Sequence, residues 1–407
     1  MPTTADDARD AASTADSRAA NSQQPDGVLS SQSLEQAIAN GWIRSSWPFP
    51  PELVQPASLD LRLGEVAWRL RCSFLPDSNS TIEEKLRDLA FDPIDLTRGA
   101  LLERNRPYLV PLVEELDLPD SVRGRTNPKS STGRVDVFTR VITDRNKRFD
   151  EIVPGYSGKL WLEVVPRSFA VRVERGLSLN QLRLVAGDVA LADRDIREAA
   201  GGDLPLLYVD GAAVPAERLP LANGLFLSLD LRPRTARPAG FRAKKTSRPV
   251  DLARIRHYDW RDYWDPVIPE SSGRVVLEPE EFYLLLSAEG VCIPPTLAAE
   301  MAAYDPTAGE LRTHYAGFFD PGFGHDPRGE RHGSRAALEV RARDVPFMVD
   351  DGQPVCKLVF ERVDRPPEVL YGDGLRSNYQ GQETMLSKHF TDQTAGTATP
   401  PARSGRA

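Results

Sequence analysis

Residues 127–137 read NPKSSTGRVDV, and the six positions from Lys129 to Arg134 hold two cations, three hydroxyls and a glycine: Lys129, Ser130, Ser131, Thr132, Gly133 and Arg134. Such a run can cradle a polyanion, with Gly133 letting backbone N–H groups approach phosphate oxygens. It can equally be a polar turn between two strands. A second segment, THYAGFFDPGFG at 313–324, sets Ala316, Gly317 and two phenylalanines before Asp320-Pro321-Gly322, a turn sequence able to close a tight hairpin. A hairpin of this kind can offer backbone N–H and C=O groups to the edge of a base, and Asp320 can accept a hydrogen bond from a sugar hydroxyl. His325 and His332 lie near Asp326, but their spacing suits no helix face and no common zinc motif, so they read as loop residues. His314, inside the hairpin segment, reads as a local hydrogen-bonding group.

The elements that must carry these segments are strands. SLDLRLGEVAWRL and LWLEVVPRSFAVRVERG alternate apolar and polar residues, the pattern of a half-buried strand. Turn punctuation is dense, with 34 Pro and 29 Gly, and helical periodicity is rare. One helix is predicted near the start, where Ser33-Leu34-Glu35-Gln36 has capping-box spacing and Asn40-Gly41 supplies a stop. Many short strands without intervening helices imply a sandwich, barrel or jelly roll. The Asp259–Trp264 run, DWRDYW, is read as packing aromatics, in the least legible part of the chain, 194–270.

The chain also resembles itself. Ser58-Leu59-Asp60-Leu61-Arg62 recurs as Ser228-Leu229-Asp230-Leu231-Arg232. Leu162-Glu163-Val164 recurs as Leu338-Glu339-Val340, and at the same offset of 176 Val173, Gly176 and Leu182 meet Val349, Gly352 and Leu358. Several matches in one register indicate two copies of one domain. The expected organisation is a disordered tail at 1–28, a first domain at 29–193, a second at 194–390 and a second tail at 391–407.

At 407 residues two domains are the natural prior, and 40% hydrophobic with 27% charged residues describes a globular chain. No apolar run reaches bilayer length, so no membrane span is expected. A net charge of −8 argues against a nucleic-acid-coating surface while allowing a local cationic pocket for a small anion. Cys72, Cys292 and Cys356 form no CxxC pair, which fits free thiols in a reducing cytoplasm and makes a structural zinc site unexpected. The N-terminal residues lack the apolar stretch of a signal peptide.

Taken together, the K-S-S-x-G-R loop at 129–134, the A-G-F-x-D-P-G-F hairpin at 316–323, the Leu338-Glu339 strand and the Tyr379-Gln380-Gly381-Gln382 tail resemble the dCTP deaminases. The likeness spans most of 30–390 and is close to the long, duplicated bacterial form. It implies an all-β chain of two tandem dUTPase-like domains, each a distorted jelly roll or β-barrel, with few short helices. In ordinary members one subunit supplies the serine loop and its neighbour the hairpin and glutamate. Here the first copy keeps the loop but carries a degenerate hairpin, ITDRNKRFDEIVPGYSG. The second keeps the hairpin while its loop has become YDPTAGE, where Asp305 and Glu310 would repel a triphosphate. A composite site between the copies is expected.

The resemblance assigns roles. Glu339 is the carboxylate that takes a proton from water and returns it, Ser130 positions that water, and Arg134 steadies the developing charge. Lys129 and Ser131 contact phosphate oxygens, with Thr132 and Gly133 completing the loop. Ala316, Gly317 and Asp320 read the nucleoside, Tyr371 stacks near the deoxyribose, and Gln382 reaches the phosphates. Asn378 stands where family members often carry Lys. Glu163 is the duplicate of Glu339, serving either a second site or none. The chain lacks the H-x-E and P-C-x-x-C set of zinc deaminases, so a metal-free route is implied, with Mg2+ accompanying the triphosphate. dCTP is the expected substrate, dTTP a candidate inhibitor, and the superfamily's three-fold packing implies a homo-oligomer. The rival readings are a dUTPase, a bifunctional enzyme that also cleaves the triphosphate to dUMP, and a non-catalytic nucleotide-binding regulator.

Overall fold

Strands dominate, as the alternating patterns predict, and the computed structural model describes residues 26–202, 204–232, 238–302, 311–313, 317–325, 333–342, 344–372 and 385–391. The first half is built on Leu59–Arg62 (β1), Tyr108–Asp117 (β2), Val122–Pro128 (β3), Val137–Ile142 (β4), Ser157–Pro166 (β5) and Ser178–Ala186 (β6). The second uses Leu225–Ser228 (β7), Tyr283–Val291 (β8), Leu297–Ala302 (β9), Ser334–Ala342 (β10) and Pro354–Arg362 (β11). In the first half β5 lies between β2 and β4, and β6 pairs with β1 and β3, all antiparallel. In the second, β10 pairs with β8, and β11 lies between β7 and β9. Four short α-helices accompany them among the described residues: Ser31–Ala39 (α1), Ile82–Leu89 (α2), Ser130–Gly133 (α3) and Asp193–Ala200 (α4). The protein is all-β, and no described helix is long and apolar enough to cross a membrane.

Backbone pairing tests the internal repeat directly. β6 and β11 begin and end 176 residues apart, and Leu182 faces Leu59 as Leu358 faces Leu225. Gly176 donates its N–H to Leu63 O (2.8 Å) and Gly352 to Leu229 O (2.9 Å), both glycines sitting at positive φ. Leu63 therefore corresponds to Leu229, and Arg62 to Ser228. The backbone N–H groups of Arg62 and Ser228 each donate to a buried glutamate, Glu114 (2.8 Å) and Glu289 (3.0 Å). This corrects the Ser58–Arg62/Ser228–Arg232 match, which is four residues out of register: Asp60 corresponds to Phe226, not to Asp230.

The hairpins correspond as well. Leu118 donates to Tyr156 O and Tyr156 to Val153 O; Ile293 donates to Phe323 O and Phe323 to Asp320 O. Val153-Pro154-Gly155-Tyr156 thus occupies the place of Asp320-Pro321-Gly322-Phe323. An exposed valine stands in the first half where the second has its hairpin carboxylate.

Local signals are partly overridden. α1 ends at Asn40 with Gly41 at φ 77°, as expected, but it starts at Ser31, earlier than the Ser33 spacing predicts. Ser33 lies inside the helix, whose N-cap position is Ser30, and its hydroxyl donates to Asp364 Oδ2 at 2.5 Å. The capping box belongs to α2, where Thr81 and Glu84 satisfy each other's backbone N–H groups. Gly27–Val28, expected in the tail, pairs with Ala186 and Val185.

The hydrophobic cores do not divide at one chain position. The core around β2, β5 and β6 also takes Phe241, Trp264, Phe282 and Leu284, and from the far end Met385, Leu386 and Phe390. Of the DWRDYW run, Tyr263 and Trp264 are buried, and Phe169 meets both edge-on at 5.7 and 5.3 Å. Phe390 packs its ring 5.3 Å from Tyr263 and 5.8 Å from Trp264, within the core built around the first half's strands. Phe390→Ala should cost about 3–5 kcal/mol in denaturant unfolding, followed by circular dichroism.

Candidate active site

The serine loop follows β3. Lys129 caps a single helical turn in which Thr132 and Gly133 donate their N–H groups to Lys129 O (2.8 and 3.1 Å) and Arg134 donates to Ser130 O (3.1 Å). The turn thus engages the N–H groups of Thr132, Gly133 and Arg134 within the loop itself. Gly133 also has a steric reason to be small. A Cβ at that position would collide with both carboxylate oxygens of Glu339. Within one chain, the first half's loop and the second half's strand β10 meet at this point.

Glu339 is 7% exposed, and its Oε2 finds no hydrogen-bond partner among the described residues. Burial raises its carboxyl well above the ordinary value near 4.5; Arg134 opposes that shift and Asp136 adds to it. Arg134 is itself buried. Ser130 is exposed, whereas Ser131 and Thr132 are buried. A desolvated carboxyl with an unfilled oxygen, facing a cation, suits a group that must both take and return a proton.

On the loop's other flank, Lys129 Nζ pairs with Asp60 Oδ2. Burial raises the Asp60 carboxyl, with Lys129 and Lys388 opposing. Lys388 reaches this cluster from the C-terminal segment, its pKa lowered by burial and by Lys129. The neighbouring Ser387 hydroxyl donates to Ser131 O at 2.8 Å, so the segment anchored by Phe390 is stapled to the loop. Asp60, Ser387 and Lys388 were missed by the sequence reading. The K-S-S motif drew attention to the loop, and nothing local linked residue 60 or 388 to it.

Asp320 sits at the hairpin, 7% exposed. Its Oδ2 accepts from Ser58 Oγ (3.1 Å) and its Oδ1 from Arg183 Nη2 (2.9 Å). Arg183, on β6, has no exposed side-chain surface; it also bonds Glu361 Oε2 and Ala299 O, each at 3.2 Å, and lies 4.0 Å over the Phe318 ring. Arg125 adds a second cation, paired with Glu300 at 2.8 Å and with Glu361. These ions hold the hairpin of one half against the sheet of the other. Gly317 O accepts from Met301 N at 3.0 Å, and Tyr371 packs on Phe323 at 5.5 Å while its N–H bonds Pro321 O.

Glu163, the duplicate of Glu339, is placed apart from this cluster. It is fully buried and paired with Arg140, whose guanidinium is stacked 3.6 Å from Phe149 and 4.5 Å from Phe138 and bonds Ser73. Ala316, Asn378 and Gln382 lie outside the described residues, as do the YDPTAGE loop, His314, Asp326 and His332. Among the described residues no group of three or more His, Cys, Asp or Glu could hold a metal ion.

Comparison with known proteins supplies a context for this geometry. Residues 25–188 match the family model of the 2'-deoxycytidine 5'-triphosphate deaminase N-terminal domain, and residues 209–390 that of its C-terminal domain. A solved structure of 2'-deoxycytidine 5'-triphosphate deaminase from Agrobacterium tumefaciens aligns with a TM-score of 0.78 at 40% identity, over 85% of this chain and 100% of that one. Among curated proteins, a "dCTP deaminase, dUMP-forming" from Methanoculleus marisnigri is 28% identical over 177 residues, 42% of this chain and 88% of its own. Another of that name from Acidothermus cellulolyticus is 26% identical over 166 residues, 39% of this chain and 78% of its own.

Two stability measurements follow from the geometry. Arg183→Met removes the cation paired with the buried Asp320 carboxylate and leaves Glu361 with Arg125 alone, and should cost about 3–5 kcal/mol in chemical denaturation. Glu339→Gln should act the other way. Because the folded state holds the Glu339 proton more tightly than the unfolded chain, this group's contribution is intact below the ordinary carboxylate value and is lost as pH climbs through the raised one. The melting temperature of Glu339→Gln should therefore match the wild type at acid pH and exceed it increasingly toward alkaline pH.

Proposed function

The chain belongs to the dCTP deaminase family, and we propose that it hydrolyses dCTP at one composite site per chain, with Glu339 as the group that moves protons. Water adds to C4 of the cytosine, Glu339 accepts a proton from that water and delivers it to the departing nitrogen, and ammonia leaves a uracil nucleotide behind. Arg134 faces the carboxylate and offsets charge that builds during addition. Ser130, at the accessible end of the loop, would hold the water. Lys129, released from Asp60, and Ser131 would meet phosphate oxygens, with Lys388 a further cation beside them. Asp320, held in place by Arg183 and Ser58, keeps lone pairs free for the sugar hydroxyl. Gly317 and Tyr371 border the same hairpin.

The observation that carries this reading is the seating of the Glu339 carboxylate on Gly133. It joins the serine loop to the one strand glutamate of the pair that Arg140 does not occupy. Magnesium would travel with the triphosphate, because it keeps its waters and binds through substrate oxygens. Binding of dTTP at the same site and association into a homo-oligomer belong to this reading as well.

A second reading, deamination followed by cleavage to dUMP, is favoured by the names of the curated relatives. Incubation with dCTP and Mg2+, measuring ammonia, dUTP and pyrophosphate, separates the outcomes. Ammonia with dUTP supports a simple deaminase; ammonia with dUMP and pyrophosphate supports the bifunctional enzyme; no ammonia contradicts both. Glu339→Gln should lower ammonia release by at least about a hundredfold while dCTP binding persists. Glu163→Gln should leave turnover near wild type, and loss of activity there would invert the assignment.

A further inference from the structure

We propose that Asp136 and Arg341 are a positioning pair for this deamination: a buried ion pair between the halves that fixes the serine loop against the strand carrying Glu339. The proposal rests on the deaminase reading and extends it to two residues outside both the 129–134 loop motif and the hairpin. Asp136 follows Arg134 by two positions, and Arg341 follows Glu339 by two on β10, so Glu339 and Arg341 share one face of the strand. Arg134 faces Glu339, and Arg341 Nη2 bonds Asp136 Oδ2 at 2.5 Å. Each half thus contributes one cation and one anion, in opposite order. A slip of the loop along β10 would bring like charges together.

The pair is anchored on both sides. Asp136 is 1% exposed and sits at φ 55°, a left-handed conformation that costs an aspartate energy and is held by its surroundings. Its N–H donates to Gly133 O (2.8 Å), its carbonyl accepts from Arg167 N (2.9 Å), and Ser168 Oγ donates to Oδ2 (2.6 Å). Arg341 is 7% exposed; its Nη1 donates to Glu280 O and its guanidinium lies 5.9 Å from the Phe282 ring. The bond from Asp136 N–H to Gly133 O ties the pair to the residue on which Glu339 is seated.

Among the described residues, the charged groups that act on Glu339 are Arg134 and Asp136 of the serine loop. The neighbouring strand β8 places Leu284 opposite Glu339. Asp136 also faces Arg167, which pairs with Glu280 at 3.3 Å near the surface. Asp136 is accordingly the anion that raises the proton affinity of Glu339. A merely structural pair would leave the pH profile where it is, whereas a positioning pair moves it.

The test compares kcat, KM and the pH dependence of kcat/KM for ammonia release from dCTP in the full-length wild type, Asp136→Asn, Arg341→Lys, Arg341→Gln and the Asp136→Asn/Arg341→Gln double variant. Asp136→Asn should lower kcat roughly ten- to hundredfold with KM near wild type, and its acidic limb should move to lower pH. Arg341→Lys, which keeps the charge and loses the forked reach, should lower kcat less and keep the limb in place. The double variant should lose less than the product of its single losses, since the two side chains act together. If Asp136→Asn keeps wild-type kcat and its limb while only its melting temperature falls, the proposal is overturned. Should that variant not fold, wild-type kcat in Arg341→Lys overturns it equally. A wild type that releases no ammonia defeats the deaminase reading itself, and the pair's role with it.

Discussion

One close approach governs the molecule: a carboxylate from the second half rests on the bare α-carbon of Gly133 in the first. Such a contact takes a charged group out of water without giving both its oxygens hydrogen bonds, an arrangement that folding alone would disfavour. Its surroundings must therefore be rigid. Arg183, Arg125 and their carboxylates lock the hairpin to the first half's sheet on one side. The Asp136–Arg341 pair locks β10 to the loop on the other. Removing either lock leaves Glu339 in place by chain connectivity but loosens what it faces.

The duplicated halves have diverged at their glutamates and hairpins. The two halves share strand order and hydrogen-bonded turns, yet the first half's glutamate is paired with Arg140, whose guanidinium is stacked on Phe138 and Phe149. Its hairpin bears Val153 where the second half bears Asp320. In the first half Arg140 meets the buried charge of Glu163, whereas in the second Asp320 is held by Arg183 and Ser58. The C-terminal segment completes the asymmetry, since it crosses from the second half to pack Phe390 in the first half's core and staple Ser131.

Much of this was legible in the sequence where the signal was local or periodic. Alternation gave away the strands, the complementary decay of loop and hairpin foretold that the first half's loop would meet the second half, and Asn40-Gly41 marked a helix end. The failures have physical causes. Ser33 had the spacing of a cap, but Asp364, more than 300 residues away, takes its hydroxyl. SLDLR recurs as letters, yet the ladder places Arg62 with Ser228, because pairing registers on buried leucines and on a glutamate that accepts the backbone N–H, not on residue identity. Gly133 was read as making room for phosphate, and its contact with Glu339 was not foreseen. Asp60, Asp136, Arg183 and Arg341 gain their meaning from partners in distant parts of the chain, which no window on one segment can display.

The central claim, that a single chain builds the whole site from its two halves, is tested most directly by mixing defects. Chains carrying Ser130→Ala and chains carrying Glu339→Gln, co-expressed and purified together, should release no more ammonia from dCTP than either alone, because every molecule keeps its own lesion. Recovery of activity in the mixture would mean that loop and glutamate meet between chains, and would contradict the account.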